Sequence, residues 1–237
     1  VLHGFTQHSG LLGPLPRWLA AGRPVVAVDL PGHGASREVD ADLPGTAELL
    51  ADLIESSGLS PMDVFGYSLG GRVALHLALR HPKQVRRLVT VGATPGIEDP
   101  EARARRRAAD EALATRFERE PLASTLASWL AQPLFATLPA HQADLEARLD
   151  NDPLALARAL RRLGTGTQEP LWGQLGSLPP TLWVAGQLDL RFASVAVRAA
   201  RLAGRASACH LVAGAGHACH LERPEALLPV LRAFLGP

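Results

Sequence analysis

The amino-acid sequence predicts an α/β fold: a mostly parallel sheet with helices on both faces, interrupted by a helical cap insert. Three observations predict it. Short β-branched or apolar runs alternate with helical segments over residues 1–92 and again over 181–235. Strands separated by helices imply crossover connections, hence parallel strands covered on both faces. Between these halves, residues 98–163 are rich in Ala, Arg and Glu and hold no β-branched run. The 237 residues, 47% of them hydrophobic, suit one large domain or a domain with an insert. The expected division is a core of residues 1–94 and 168–237 and a helical cap over 95–167.

The elements follow in order. "VLHGF" (1–5) reads as the end of a strand whose beginning lies upstream. "PVVAVDL" (24–30) is a β-branched run ending at the turn "PGHG". Residues 46–57 carry Leu49, Leu50, Leu53 and Ile54 at helical spacing. "MDVFG" (62–66) is a short buried strand, and "LGGRVALHLALR" (69–80) is a helix stopped by His81-Pro82. "VRRLVTVG" (85–92) is the next strand. Within the insert, residues 98–120 hold six arginines and seven acids, a balance that suits a solvated helix laced with i,i+4 pairs. "TLWVAG" (181–186) restores the strand pattern. A helix (193–203), a strand (207–213) and a last helix (224–235) complete it.

Charged content of 20% and a net charge of +1 give no reason to expect disorder or a nucleic-acid partner. Lys83 is the only lysine, so nearly all positive charge is arginine, the better fork for a carboxylate. Two cysteines, Cys209 and Cys219, are no disulfide framework and fit a reducing cytoplasm. No stretch approaches the roughly 20 apolar residues of a membrane span, and no signal peptide is visible.

The chemistry centres on "VFGYSLGGR" (64–72). Ser68 lies in a G-x-S-x-G pattern with a strand before it and a helix after it, the setting in which a strained turn exposes a serine oxygen. Gly66 and Gly70 relieve crowding there, and the helix N-terminus favours developing anions. A reactive serine needs a base and an orienter, in the chain order serine, acid, histidine. "VAGQLDLRF" places Asp189 just past a strand end, and "VAGAGHACH" places His217 in a Gly-rich loop after the last strand. The alternative for Asp189 is an N-cap of the following helix. The alternative for His217 is a loop histidine without a role. An oxyanion hole would use the backbone amides of Leu69 and Phe5, while His3 reads as structural. Cys209, His210, His217, Cys219 and His220 form a rival, metal-like cluster. Their spacing matches no zinc pattern, and 209–210 lie in a strand where neighbours point to opposite faces. No metal and no cofactor is expected.

"LHGF", "DLPGHGAS", "GYSLGG", "GQLD" and "GAGHACHLERP" together resemble the α/β-hydrolase superfamily across essentially the whole chain. The run from Pro95 through "RF…EPL" and "W…QPLF" is longer than a superfamily motif. It is similar to the 2-succinyl-6-hydroxy-2,4-cyclohexadiene-1-carboxylate synthases of menaquinone biosynthesis. That resemblance implies elimination of pyruvate rather than ester hydrolysis, with Ser68, polarised by His217 and Asp189, taking a carbon-bound proton. It also implies a polycarboxylate substrate, held by Arg72 and Arg106 and lined by Tyr67 and Trp129. From the residues alone, Arg72 reads equally well as a salt-bridge partner and Trp129 as cap core. Arg148 is a further candidate anion ligand in a stretch where the likeness is loose. Two other function classes compete: a serine hydrolase of an acidic substrate, and a non-enzymatic binding protein on this fold, which would be expected to lose a triad member.

Overall fold

The computed structural model of the protein describes residues 1–20 and 22–236. Helices α1 (Leu15–Leu19) and α2 (Leu43–Ser56) precede strand β1 (Met62–Tyr67), and α3 (Leu69–Arg80) joins it to β2 (Val85–Val91). Five helices follow: α4 (Pro100–Arg119), α5 (Leu122–Leu130), the single-turn α6 (Ala140–Ala143) and α7 (Leu145–Arg148), and α8 (Pro153–Leu163). The sheet resumes with β3 (Thr181–Gly186), α9 (Leu190–Ala203) and β4 (Ser207–Val212). The short α10 (Cys219–Glu222) and α11 (Pro224–Leu235) end the chain.

The four strands pair in parallel in the order β1–β2–β3–β4. Neighbouring residues along a strand face opposite sides, so a sheet buried on both faces needs apolar residues at both parities. Val64, Leu88 and Trp183 enter one core with Val73 and Leu77 of α3. Phe65, Val89 and Leu182 enter the other with Leu227 and Leu231 of α11.

Helix α2 begins at Leu43, ahead of the expected 46, because Asp42 Oδ1 accepts the Gly45 amide at 2.8 Å and caps it. The run at 24–30 does not form a strand of its own. Leu2 makes one parallel bridge to Val28 and another to Gly66 of β1. The extended chain facing residues 24–30 offers a single paired residue, so no ladder propagates.

The helices between β2 and β3 carry their own small core of Ala114, Phe117, Leu126, Leu156 and Leu160, with Phe5 of the first loop packed against it. Most of the charges there are solvated pairs, as the sequence suggests: Arg105 with Glu101 at 3.6 Å, Arg116 with Glu120 at 2.9 Å, and Arg161 with both Glu111 and Glu118. Such exposed pairs contribute little individually. The apolar cluster is therefore what holds these helices together. Among the described residues no helix is long and apolar enough to cross a membrane.

Phe117 is buried and meets the Phe5 ring edge-on at 5.9 Å. Phe117→Ala should cost about 3–5 kcal/mol, read as a lower urea midpoint. Because the lost contacts belong to the helices between β2 and β3, limited proteolysis should cut residues 100–163 first.

Candidate active site

Ser68 joins β1 to α3 with φ 50° and ψ −106°, in the left-handed half of conformational space that side chains avoid. The turn is held from several sides. Ser68 N–H donates to Val91 O at 2.8 Å, and the Arg72 amide donates to Ser68 O at 3.1 Å. The flanking glycines are obligatory. A Cβ on Gly66 would stand 2.3 Å from Gly70 O, and one on Gly70 would stand 2.4 Å from Leu2 O.

Asp189 and His217 reach Ser68 from the ends of β3 and β4. His217 Nδ1 lies 2.7 Å from Asp189 Oδ2, and His217 Nε2 lies 3.1 Å from Ser68 Oγ. Nδ1–H donates to the carboxylate, which leaves Nε2 to accept from the serine hydroxyl. The Asp189 carboxylate serves two groups at once. Its Oδ2 orients the histidine while its Oδ1 accepts the Phe192 amide at 3.2 Å and caps α9. That cap is why α9 starts at Leu190 and not at 193. The His217 loop is fixed by Glu222, whose two oxygens accept the amides on either side of the histidine, Gly216 at 2.7 Å and Ala218 at 3.1 Å. The imidazole itself sits among the rings of Phe192, Tyr67 and Phe135, at 4.6, 5.5 and 6.0 Å between centroids.

The amides of Phe5 and Leu69 donate to no acceptor among the described residues. His3 is structural: fully buried, it accepts the Leu30 amide through Nε2 at 2.9 Å. Cys209 is exposed on β4 whereas Cys219 is buried in α10, and among the described residues no three His, Cys, Asp or Glu side chains gather as metal ligands would. His220 is buried with both ring nitrogens unpartnered among the described residues. It packs on the Tyr67 ring at 4.2 Å, and burial pushes it down to about 3. It is therefore a neutral aromatic spacer. Burial likewise raises the Tyr67 phenol well above its usual range, so it stays protonated.

Ser68 and His217 open into a cavity of about 570 Å³. Five arginines, Arg72, Arg106, Arg116, Arg148 and Arg191, line it against one carboxylate, Asp110. Arg116 pairs with Glu120, and Arg106 Nε donates to buried Asp110 Oδ1 at 2.7 Å. Arg72 is 7% exposed, and its Nη1 donates to Leu163 O at 2.6 Å. It has no carboxylate within 4 Å among the described residues, which sets aside the salt-bridge reading. Burial first, and then the Arg106 charge, press its guanidinium below the ordinary arginine range, with Asp110 opposing. Arg148 is 3% exposed and equally without a carboxylate; Nε donates to Ala143 O at 2.6 Å and Nη1 to Thr6 Oγ1 at 2.5 Å. A guanidinium does not shed its proton in a protein, so both side chains stay cationic with no carboxylate paired directly to them among the described residues. Trp129 is half-buried in the cavity wall and belongs to none of the apolar cores. Its ring meets Phe5 and Phe135 edge-on at 5.4 and 5.7 Å, while its buried Nε1–H has no acceptor among the described residues.

Sequence reasoning missed Glu222, Thr6, Phe135, Phe192 and Asp110, and left Arg148 unresolved. The "GHACHLE" spacing carried a usable signal for Glu222, an acid five residues past the histidine at the start of a helical turn.

Residues 1–224 match the alpha/beta hydrolase fold family. A 2-succinyl-6-hydroxy-2,4-cyclohexadiene-1-carboxylate synthase of Klebsiella pneumoniae subsp. pneumoniae is 34% identical over 99% of this chain and 92% of its own. The synthase of the same name from Serratia proteamaculans is 38% identical over 95% of this chain and 90% of its own. Among solved structures, MenH from S. aureus superposes with a TM-score of 0.92 at 31% identity, covering 99% of this chain and 91% of that one. A thermophilic esterase from Thermogutta terrifontis, solved with malate bound, gives a TM-score of 0.83 at 26% identity, covering 99% and 87%.

The shared carboxylate of Asp189 yields a separable prediction. Asp189→Asn keeps an N-cap oxygen but misdirects the imidazole tautomer. It should lower kcat by about four orders of magnitude with little change in Tm. Asp189→Ala should lose activity equally and a further ~1 kcal/mol of stability. Paired kinetics and thermal melts check both.

Proposed function

The chain belongs to the 2-succinyl-6-hydroxy-2,4-cyclohexadiene-1-carboxylate synthases, within the α/β-hydrolase fold family, and from that membership we propose how its triad works. The enzyme eliminates pyruvate from 2-succinyl-5-enolpyruvyl-6-hydroxy-3-cyclohexene-1-carboxylate in menaquinone biosynthesis. The two names define the electron flow: a 3-ene bearing a leaving group at C5 becomes a 2,4-diene. The C2 proton is acidified by the succinyl ketone beside it. Ser68 Oγ gives its proton to His217 Nε2 and takes the C2 proton. The C2–H electron pair becomes the C2=C3 bond, the old C3=C4 pair moves to C4=C5, and the C5–O bond breaks. The departing enolpyruvate takes the proton from His217 and tautomerises to pyruvate. No water is consumed and no acyl-enzyme forms.

As the C2 proton leaves, charge builds on the ketone oxygen. The unengaged amides of Phe5 and Leu69 would receive it, the preorganised placement that lowers such barriers. The observation that carries the substrate reading is the set of buried guanidiniums without carboxylates beside a complete triad. The substrate brings three carboxylates, and arginine takes each with two hydrogen bonds. Arg72 and Arg148 would bind two of them. Arg106, already turned by Asp110, would bind the third. The Tyr67 ring would form the wall beside Ser68, and Trp129 Nε1 would donate to a substrate oxygen. Residues 95–167 would then act as a cap that brings these groups over the sheet edge. The unpaired cysteines fit a cytoplasmic enzyme.

The same triad geometry would serve a serine hydrolase of an acidic substrate, and one assay separates the two. Purified protein is given the enolpyruvyl precursor generated in situ, and pyruvate and diene absorbance are followed together. Equal amounts of both, abolished in Ser68→Ala, are expected. Turnover no faster than the spontaneous reaction, with brisk p-nitrophenyl ester cleavage, would establish the hydrolase instead. Arg72→Ala should lower kcat/KM for the tricarboxylate by about 10²-fold or more while changing neutral ester turnover severalfold at most. Equal losses on both would make Arg72 a structural residue.

A further inference from the structure

The loop that presents the Phe5 amide is strained at its next residue. Gly4 O accepts the Gln7 amide at 3.1 Å, closing a four-residue turn with Phe5 second and Thr6 third. Thr6 has φ 67°. In a type II turn that third position is ordinarily glycine, and a β-branched side chain there is an outlier. Strain of this kind persists only where the surroundings over-determine it.

Here they do so through three polar groups of one fully buried residue. The Thr6 amide donates to His33 Nε2 at 3.2 Å. His33 Nδ1 faces Pro31 O at 3.0 Å, which assigns Nε2 as the acceptor, and burial holds this imidazole near 4, neutral at physiological pH. The Thr6 carbonyl accepts from Asn151 Nδ2 at 3.0 Å, and the same amide side chain takes the Gly34 N–H at 3.0 Å through Oδ1. The Thr6 hydroxyl accepts from Arg148 Nη1. Two of the three partners, Arg148 and Asn151, lie about 145 residues away in the helical insert. Arg148 Nη2 has no acceptor among the described residues, and the guanidinium lines the cavity.

We propose that Thr6 is a positioning residue through which Arg148 sets the oxyanion-hole donor at Phe5. Arg148 holds the Thr6 hydroxyl, the hydroxyl holds the strained turn, and the turn aims the preceding amide toward Ser68. One arginine would then serve both a substrate carboxylate and the hole, linking anion binding to the charge-stabilising geometry. The inference rests on the assignment of the hole to Phe5 and Leu69, and it is independent of which substrate is turned over.

The test uses a probe that carries no carboxylate. Diethyl p-nitrophenyl phosphate reacts with an activated serine: the Ser68 Oγ–P bond forms, p-nitrophenolate leaves, the serine proton goes to His217, and the P=O oxygen occupies the hole. The rate is read from p-nitrophenolate release, and the adduct on Ser68 by mass. Arg148→Met should slow phosphorylation about tenfold although the probe carries no anionic group for an arginine to pair with. Thr6→Val, which removes the hydroxyl but keeps the strain, should slow it similarly, and Thr6→Ser should not. Glycine adopts the left-handed turn unaided. In a Thr6→Gly background, Arg148→Met should therefore have no further effect. That rescue also covers a Thr6→Val protein that does not fold. An Arg148→Met effect that is absent from the otherwise wild-type protein, or undiminished in the Thr6→Gly background, would overturn the coupling. An unreactive wild type would remove the hole and this inference with it, whereas the pyruvate assay judges the substrate reading separately.

Discussion

The structure depends on one close approach: the backbone of the Ser68 turn against the first extended segment and the start of α3. Gly66 lies against Gly70 and Gly71, and Gly70 lies against Leu2 and His3. Backbone packed on backbone leaves no room for relaxation, so the serine's left-handed conformation is imposed by its neighbours and not by its own preference. The same packing seats Leu2 between Gly66 and Val28, which brings the loop of residues 3–8 to the cavity that Ser68 lines. Sheet edge and serine are therefore one tightly packed assembly, to which β3 and β4 deliver Asp189 and His217.

A second constraint is electrostatic and works against stability. Buried guanidiniums without carboxylates are tolerated because backbone carbonyls take part of their hydrogen bonding, Leu163 for Arg72 and Ala143 for Arg148. Carbonyl dipoles satisfy donors but do not neutralise charge. Asp110 is the exception. One of its oxygens turns Arg106, and the other accepts the Gly166 amide at 3.2 Å, tying the end of the insert to α4. The cavity is thus left cationic by construction, with one carboxylate placed for geometry.

What was legible in the sequence was what is local. The glycine-flanked serine, the strand before it, the helix after it, and the loops bearing Asp189 and His217 each carry their signal within about ten residues, and all lie where expected. The run at 24–30 misled because β-branched content reports fitness for a strand, not the presence of a partner to pair with. Arg72 was visible as an unusual charge on an apolar helix. Arg106 could be separated from Arg103, Arg105 and Arg107 only by resemblance, since helix periodicity does not say which arginine has a buried acid one turn on. Thr6, Asn151 and the link of Arg148 to Thr6 were hidden for a different reason. Their meaning lies in hydrogen bonds across about 145 residues of chain, and neither a threonine nor an arginine announces such a partner.

The uncompensated cavity also bears on the lifetime of the protein. An empty pocket of buried cations raises the free energy of the folded state, and a polycarboxylate that fills it lowers that free energy without touching the unfolded chain. Each tenfold rise in ligand above its dissociation constant adds about 1.4 kcal/mol to the unfolding free energy. At marginal stability, that is a tenfold change in the unfolded fraction exposed to proteases. The abundance of the protein would then follow the supply of its own metabolite, through mass action alone and with no dedicated regulator.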